Sequence, residues 1–290
     1  MVKQYGALYL DTRRALLETE EPDMAGFMAR SLICHVSGKN PDLFLADRDL
    51  YATEEVCRAV DAGLRRLKQG EPLAYVLGEW DFYGLNLTVS PDVLIPRDDT
   101  CAVTSLAIQQ ALFLNQDPRV LDLCCGSGCI ACAVASELPA TRVVAADISS
   151  AALEICRKNI KGNRLTSRII TMQADASTWP PMGIGSFDLI LSNPPYIPSG
   201  DIIGLGHSVR DYEPLDALDG GEDGLDFYRA IIKYWTIILR PNGIIMFEVG
   251  EGQADAVKRM LLQAGYVSVD SRLDTLGVER VVIGKWKNEY

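Results

Sequence analysis

Nowhere does the 290-residue sequence approach the roughly 18 consecutive apolar residues that a membrane-spanning helix requires. Its opening, MVKQYGALYLDTRRALLETEEPDM, also lacks an export signal, because Asp11, Arg13 and Arg14 interrupt the place where an unbroken apolar stretch belongs. Positive charge is in short supply: 28 Lys and Arg against 39 Asp and Glu leave a formal net charge of -11. A protein that grips nucleic acid mainly through phosphates needs a basic stripe, so this balance argues against direct DNA binding and favours a protein or small-molecule substrate. Internal repeats and low-complexity segments are absent. These absences predict a soluble, cytoplasmic, monomeric protein without a membrane partner.

What is present is an ordinary apolar fraction of 48%, enough for one large domain or two unequal ones. Eight cysteines without an export signal read as free thiols in a reducing compartment. Four of them, Cys124, Cys125, Cys129 and Cys132, crowd together, but zinc sites draw paired ligands from separate segments and both histidines, His35 and His207, lie far off in sequence. Cys129 and Cys132, three apart on a helix, are expected to pack against a sheet, and no metal site is expected.

From about residue 5 to residue 70 the pattern is helical and strand signals are missing; Ala25, Met28, Ala29, Leu32 and Ile33 recur at three-and-four spacing. Breaks at Pro22, at 38–41 and at Thr53, a candidate N-cap, divide the stretch into short helices. Residues 73–95, with alternating Leu85, Leu87 and Val89 and a Tyr83-Gly84 break, predict a β-hairpin joining two domains. Strand and helix signals then alternate: strands at 120–123, 143–147, 169–173, 187–192 and 243–249, helices from Gly128, from Ser149, and across 225–239 and 253–264, and two closing strands near 266–269 and 280–283. The expected fold is α/β, a doubly wound, mostly parallel seven-stranded sheet with an antiparallel edge, plus a small all-helical N-terminal domain. The expected domains are 1–72, a 73–95 linker and 96–290. Residues 199–224 form a long Gly- and Asp-rich loop suited to a lid.

The first strand of that sheet opens into Cys124-Cys125-Gly126-Ser127-Gly128 ahead of a helix, which lets backbone pass close to a ligand. Only two glycines occur where a dinucleotide fold supplies three, so a pyrophosphate, and with it a nicotinamide oxidoreductase, is disfavoured. Asp147 ends the second strand, placed to accept both hydroxyls of a ribose; its plainer role is an N-cap. Asp175, after the third strand, suits an adenine amino group or a loop cap. After the fourth strand come Asn193-Pro194-Pro195-Tyr196. The Asn carbonyl can accept from a substrate N–H, Pro194 leaves a carbonyl beside it, and Tyr196 offers a flat face. Together they orient one planar sp² nitrogen, and two acceptors on its hydrogens localise its lone pair without a strong general base. The plainer alternative is a rigid turn.

These residues resemble the S-adenosylmethionine-dependent methyltransferases, and among them the release factor glutamine methyltransferases (PrmC/HemK type). The likeness extends to EPLAYVLGEWDFYGL, to LIPR at Leu94–Arg97, to VRDYEPLDALDGGEDGLDFYR at Val209–Arg229 and to VERVVIG near the C-terminus. The resemblance implies a class I methyltransferase fold and S-adenosyl-L-methionine as cofactor, with S-adenosyl-L-homocysteine as product. It implies class-1 peptide chain release factors as partners, methylated on the Gly-Gly-Gln glutamine and docked in part by the helical domain. It assigns Cys124, Cys125, Gly126, Ser127, Gly128, Asp147, Asp175 and Asn193 to the cofactor, and Asn193, Pro194, Pro195 and Tyr196 to the glutamine amide, with Asn193, Pro194 and Tyr196 catalytic. Arg97 joins the substrate site, or else pairs with Asp98 or Asp99.

The sequence departs from the family pattern at several positions. Cys124 replaces the first loop glycine, which a backbone without positive φ tolerates. Asp98 replaces the proline after the LIPR arginine, and Cys101 replaces the acidic residue after the threonine, so no role of that residue is transferred. Ala176 follows Asp175 where a bulky residue often lies near adenine; Trp179 either substitutes or belongs to the core. The rival readings are an amino-methyltransferase acting on adenine or guanine in nucleic acid and a catalytically silent binding module. The acidic charge opposes the first, and the presence of Asp147, Asn193 and Tyr196 together opposes the second.

Overall fold

A computed structural model of the protein describes residues 2–114 and 117–287. Two compact units divide the chain: one runs to Glu79 and includes Gly206–Tyr212, and the other comprises Trp80–Leu205 and the chain from Glu213 onward. In the first, a two-residue strand β1 (Lys3–Gln4) leads into α1 (Tyr5–Leu16) and α2 (Pro22–Ser37), then a second short strand β2 (Tyr51–Ala52), α3 (Glu54–Lys68) and α4 (Leu73–Leu77). Proline opens α2 where no intrahelical N–H is required, and Thr53 caps α3 by accepting the Val56 amide at 3.2 Å. The α2 stripe, Ala25, Met28, Ala29, Leu32 and Ile33, is buried, and α2 packs on α1 and α3. The β1–β2 pairing has no sequence signal because two residues carry no alternation. Residues 73–77 are helical instead of belonging to a hairpin: Leu73, Ala74 and Tyr75 are buried on a single turn that left-handed Gly78 ends.

The hairpin proper pairs β3 (Glu79–Phe82) with β4 (Leu85–Thr88) through Tyr83 and Gly84, both at positive φ as a tight two-residue turn demands. There follow α5 (Thr100–Leu114), β5 (Arg119–Leu123), α6 (Cys129–Glu137), β6 (Arg142–Asp147), α7 (Ser150–Gly162), β7 (Ile169–Gln173) and β8 (Phe187–Ser192). A short helix α8 (His207–Arg210) lies in the segment grouped with the first unit; then come α9 (Asp226–Trp235), β9 (Leu239–Glu248), α10 (Ala254–Gln263), β10 (Tyr266–Leu273) and β11 (Glu279–Trp286). The sequence pattern assigns no element to α5, whose apolar residues run around the helix instead of along one stripe.

The seven-stranded sheet has the order β10-β11-β9-β8-β5-β6-β7, parallel from β9 to β7, with β11 antiparallel to both β9 and β10. Alternation along each strand sorts side chains to two faces. Leu189, Leu191, Ile244 and Met246 join one apolar cluster with α5, α6 and α7. Ile190, Ile245 and Phe247 join the other with Tyr228, Ile231 and Trp235 of α9 and Val257 and Leu261 of α10. Full burial of each such side chain contributes roughly 2 kcal/mol. Among the described residues no helix is long and apolar enough to cross a membrane.

Candidate active site

Strands β5 and β8 are central neighbours, and the helices that follow them, α6 and α9, pack on opposite faces of the sheet. The loops after β5 and β8 must therefore part, and a crevice opens at the carboxyl ends of the strands. A cavity of about 660 Å³ lies there. It brings together Cys124, Cys125, Gly126 and Ser127 from the loop after β5, Asp147 from the end of β6 and Asp175 from beyond β7. Asn193 and Pro195 from the turn after β8, and Arg97, complete the predicted residues on its wall. Gly128, Pro194 and Tyr196 are not on that wall. Gly128 caps α6 against Cys156, and Pro194 is buried. Tyr196 packs into the apolar cluster beside α9, with its ring at Gly250. Burial pushes the Tyr196 hydroxyl up to about 12, so it stays protonated.

The loop after β5 is left-handed at three places: Gly126, Gly128 and also Cys124, at φ 64. A cysteine is thus held where its Cβ is strained, at a cost of about 1 kcal/mol, so the condition under which cysteine replaces the loop glycine freely is not met. The loop is fixed from β6: Asp147 Oδ2 accepts the Gly126 amide at 2.8 Å, and Oδ1 accepts the Ser149 amide at 2.9 Å. Ser149, not Asp147, is the N-cap of α7, accepting the Ala152 amide. Burial raises the Asp147 pKa, and the backbone donors partly offset this. Each carboxylate oxygen keeps a lone pair free for a further donor.

Asp175 closes a turn, its Oδ1 accepting both the amide and the hydroxyl of Ser177, while also facing the cavity. Ala176 is buried, and its carbonyl accepts from Trp235 Nε1 at 3.1 Å. Trp179 belongs neither to the cavity nor to the core: it is 60% exposed and packs edge-on against Tyr234. The aromatic residue on the cavity wall is Phe227, which sequence reading passed over within GLDFYR. Arg97 pairs with buried Glu213, which also accepts the Ile95 amide, while Asp99 pairs with Arg280. Thr100 and Glu248 gave no signal, because isolated Thr and Glu residues carry no spacing to read, and Glu213 stood within the segment Val209–Arg229 with no role assigned to it.

The Gly- and Asp-rich stretch is a built wall: Pro214, Asp216, Ala217, Asp219 and Gly221 line the cavity. Ile197 and Gly220 exchange backbone contacts, Ile197 donating to Leu218 and Gly220 donating to Ile197 at 2.8 Å. A Cβ on Gly220 would stand 2.7 Å from Tyr196 Cα, and one on Gly224 2.3 Å from the Tyr196 carbonyl oxygen. These glycines let two backbones touch behind the Asn-Pro-Pro-Tyr turn. Asn159, buried in α7, ties the hairpin to the loop after β5, bonding Thr88 in both directions and donating to the Ser127 carbonyl at 2.9 Å.

Among the described residues no group of three or more His, Cys, Asp or Glu side chains is placed to hold a metal ion. Cys132 is fully buried in the apolar cluster beside α6, and burial pushes the Cys124, Cys129 and Cys132 thiols up, away from the thiolate form. The cavity fits a nucleoside-sized ligand. Its volume lies in the range of small-molecule sites, Asp147 presents a carboxylate to it, and Leu94, Ile148, Ala176 and Phe227 provide apolar walls.

A seven-stranded, doubly wound sheet with an antiparallel edge and such a crevice defines a class I S-adenosylmethionine-dependent methyltransferase. Family models for a methyltransferase small domain and a PrmC N-terminal domain match residues 100–203 and 9–78. Relatives described as release factor glutamine methyltransferases include those of Geobacter sulfurreducens, 43% identical over 79% of this chain and 77% of the relative, and of Vibrio cholerae, 37% identical over 94% of each. The chain belongs to the release factor glutamine methyltransferase family. Of solved structures, the catalytic domain of hMettl16 in complex with a MAT2A 3'UTR hairpin shares the fold at TM-score 0.57, with 15% identity over 89% of this chain and 93% of that one. A methyltransferase from Pyrococcus furiosus does so at TM-score 0.52, with 18% identity over 77% and 98%.

Proposed function

We propose that this chain transfers a methyl group from S-adenosyl-L-methionine to the side-chain amide nitrogen of the glutamine in the Gly-Gly-Gln motif of class-1 release factors. The observation that carries the reading is the placement of Asn193 on one cavity wall with Cys124–Ser127 and Asp147. In this reading the loop Cys124–Gly128 seats the methionine part of the cofactor, Asp147 takes the ribose hydroxyls and Asp175 the adenine amino group. The bound cofactor supplies an electrophilic methyl group.

An amide nitrogen is a poor nucleophile because its lone pair is delocalised. Asn193 Nδ2 donates to Thr100 Oγ1 at 3.3 Å, which leaves Oδ1 to accept one amide hydrogen. The family resemblance assigns the other to the carbonyl of Pro194, a residue that lies behind the cavity wall here, and two acceptors localise and aim the lone pair. Pro195 walls the amide, Tyr196 backs the turn and Arg97 holds the substrate chain. The reading calls on no metal. The helical unit docks the release factor: Leu10, Met24 and Phe27 are exposed on α1 and α2, and the net charge of -11 suits a protein substrate. The protein works in the cytoplasm as a monomer, without binding DNA directly.

The test is incubation with radiolabelled S-adenosyl-L-methionine and a release factor carrying Gln or Ala in the Gly-Gly-Gln motif. Label is expected on the Gln form alone, and label retained on the Ala form overturns the reading.

A further inference from the structure

Asn193 and Glu248 are neighbours by register. Strands β8 and β9 run parallel with Ser192 opposite Phe247, so the next residue of each reaches the carboxyl edge together. Alternation then sends both side chains to the face of Leu191 and Met246, where α5 begins at Thr100. The Asn193 amide donates to Thr100 Oγ1, and the Thr100 hydroxyl and Asn193 amide both face the Glu248 carboxyl. Glu248 is 1% exposed, does not line the cavity, and its Oε2 finds no hydrogen-bond partner among the described residues. A buried carboxyl with an unsatisfied oxygen is costly, and the apolar clusters on both faces give it no packing reason to be there.

We infer that Glu248 is a positioning residue for Asn193: its carboxylate draws the Thr100 hydroxyl proton, which leaves a Thr100 lone pair for the Asn193 NH₂ and turns Asn193 Oδ1 toward the cavity. The inference rests on the role of Asn193 proposed above. An asparagine amide is nearly symmetric in shape, so only its hydrogen-bond partners decide which end faces the substrate. With Glu248 neutral, the carboxyl can donate to Thr100 and the amide loses its bias. Burial pushes Glu248 up to about 7, offset in part by Thr100, Arg280 and Asn193 and reinforced by Asp99. The other titratable groups that feel it are Cys101, Cys129, Tyr196 and Tyr228. The thiols and phenols there are pushed upward, which leaves Glu248 as the group of this cluster that changes charge near neutrality.

The test is nuclear magnetic resonance of the Asn193 side-chain amide, assigned by its loss in Asn193→Ala, followed from pH 5.5 to 8.5. The wild-type signals should move with a midpoint near 7, and those of Glu248→Gln should not move. With the release factor as acceptor, Glu248→Gln should lower kcat at least about tenfold and abolish the acid limb of its pH profile, with KM and cofactor affinity within twofold. Thr100→Val should reproduce the loss of kcat with Glu248 intact, and Thr100→Ser should keep kcat near wild type; this pair decides the matter if Glu248→Gln unfolds. An amide that does not titrate in the wild type, or titrates equally in Glu248→Gln, overturns the inference. The resonance experiment needs no methyl acceptor, so it stands whether or not the glutamine reading holds.

Discussion

The backbones of Gly220 and Tyr196 are in direct contact: a Cβ placed on Gly220 would lie 2.7 Å from Tyr196 Cα and 2.9 Å from the Pro195 carbonyl oxygen. Neither obstacle is a flexible side chain, so the turn after β8 must shift to admit one. Gly220→Ala is therefore expected to lower kcat by about a hundredfold, since a displacement of about 1 Å costs that much, while cofactor affinity stays near wild type. Gly200→Ala, where nothing lies within 4 Å, serves as the control. Steady-state kinetics with calorimetric cofactor titration separate the two.

Cys124 occupies a left-handed conformation at φ 64, where a side chain is strained. Cys124→Gly relieves that strain and is expected to raise stability by up to about 1 kcal/mol, after allowing for the greater entropy of glycine in the unfolded chain. Cys124→Val should do the reverse. Urea midpoints read the difference, and a destabilised glycine variant contradicts the account.

Asn193→Ala removes the acceptor for the substrate amide and leaves the loop after β5 untouched. Turnover should fall at least a hundredfold, or about 2.7 kcal/mol in activation free energy, as for loss of a transition-state donor or acceptor. Cofactor affinity should change little. Near-normal turnover would refute the assigned role.

Arg97 compensates the buried carboxylate of Glu213, whose pKa is raised by burial and drawn back by Arg97 and the Ile95 amide. Arg97→Ala strands that charge and is expected to cost about 2 kcal/mol, less than for a fully buried pair because Arg97 is 38% exposed. Adding Glu213→Gln should recover part of the loss. Chemical denaturation of the four proteins of this cycle gives the coupling, and simple additivity speaks against it.

Asp122 lies buried in β5, with one oxygen on the Ala131 amide at 2.9 Å and Oδ1 unpartnered among the described residues. Burial pushes it up to about 7. The folded chain thus binds this proton more tightly than the unfolded chain, so the contribution of Asp122 to stability falls as pH rises from about 4 to about 7 and levels off above. Asp122→Asn should flatten the decline of Tm across that range. A slope identical to wild type would show that Asp122 does not titrate there.

Sequence by itself determined the strand–helix alternation, with β7 and β8 at their observed bounds, because side-chain period follows directly from backbone geometry. It also determined the placement of Asn193 and Asp147 at strand ends, since a strand's end can be read from where its apolar run stops. Helix α5 escaped it because apolar residues on all sides leave no stripe, and the helical turn at 73–77 escaped because five residues hold too little period. The tertiary structure alone decided what depends on neighbours distant in the chain. It made Cys124 left-handed, moved Trp179 out of the site in favour of Phe227, and turned the glycines of 220–224 into a close backbone contact behind the Asn-Pro-Pro-Tyr turn. It also set Glu248 beside Asn193, because parallel pairing of β8 with β9 joins residues 55 positions apart. No local pattern encodes such a pairing, since register is chosen by the burial of whole faces.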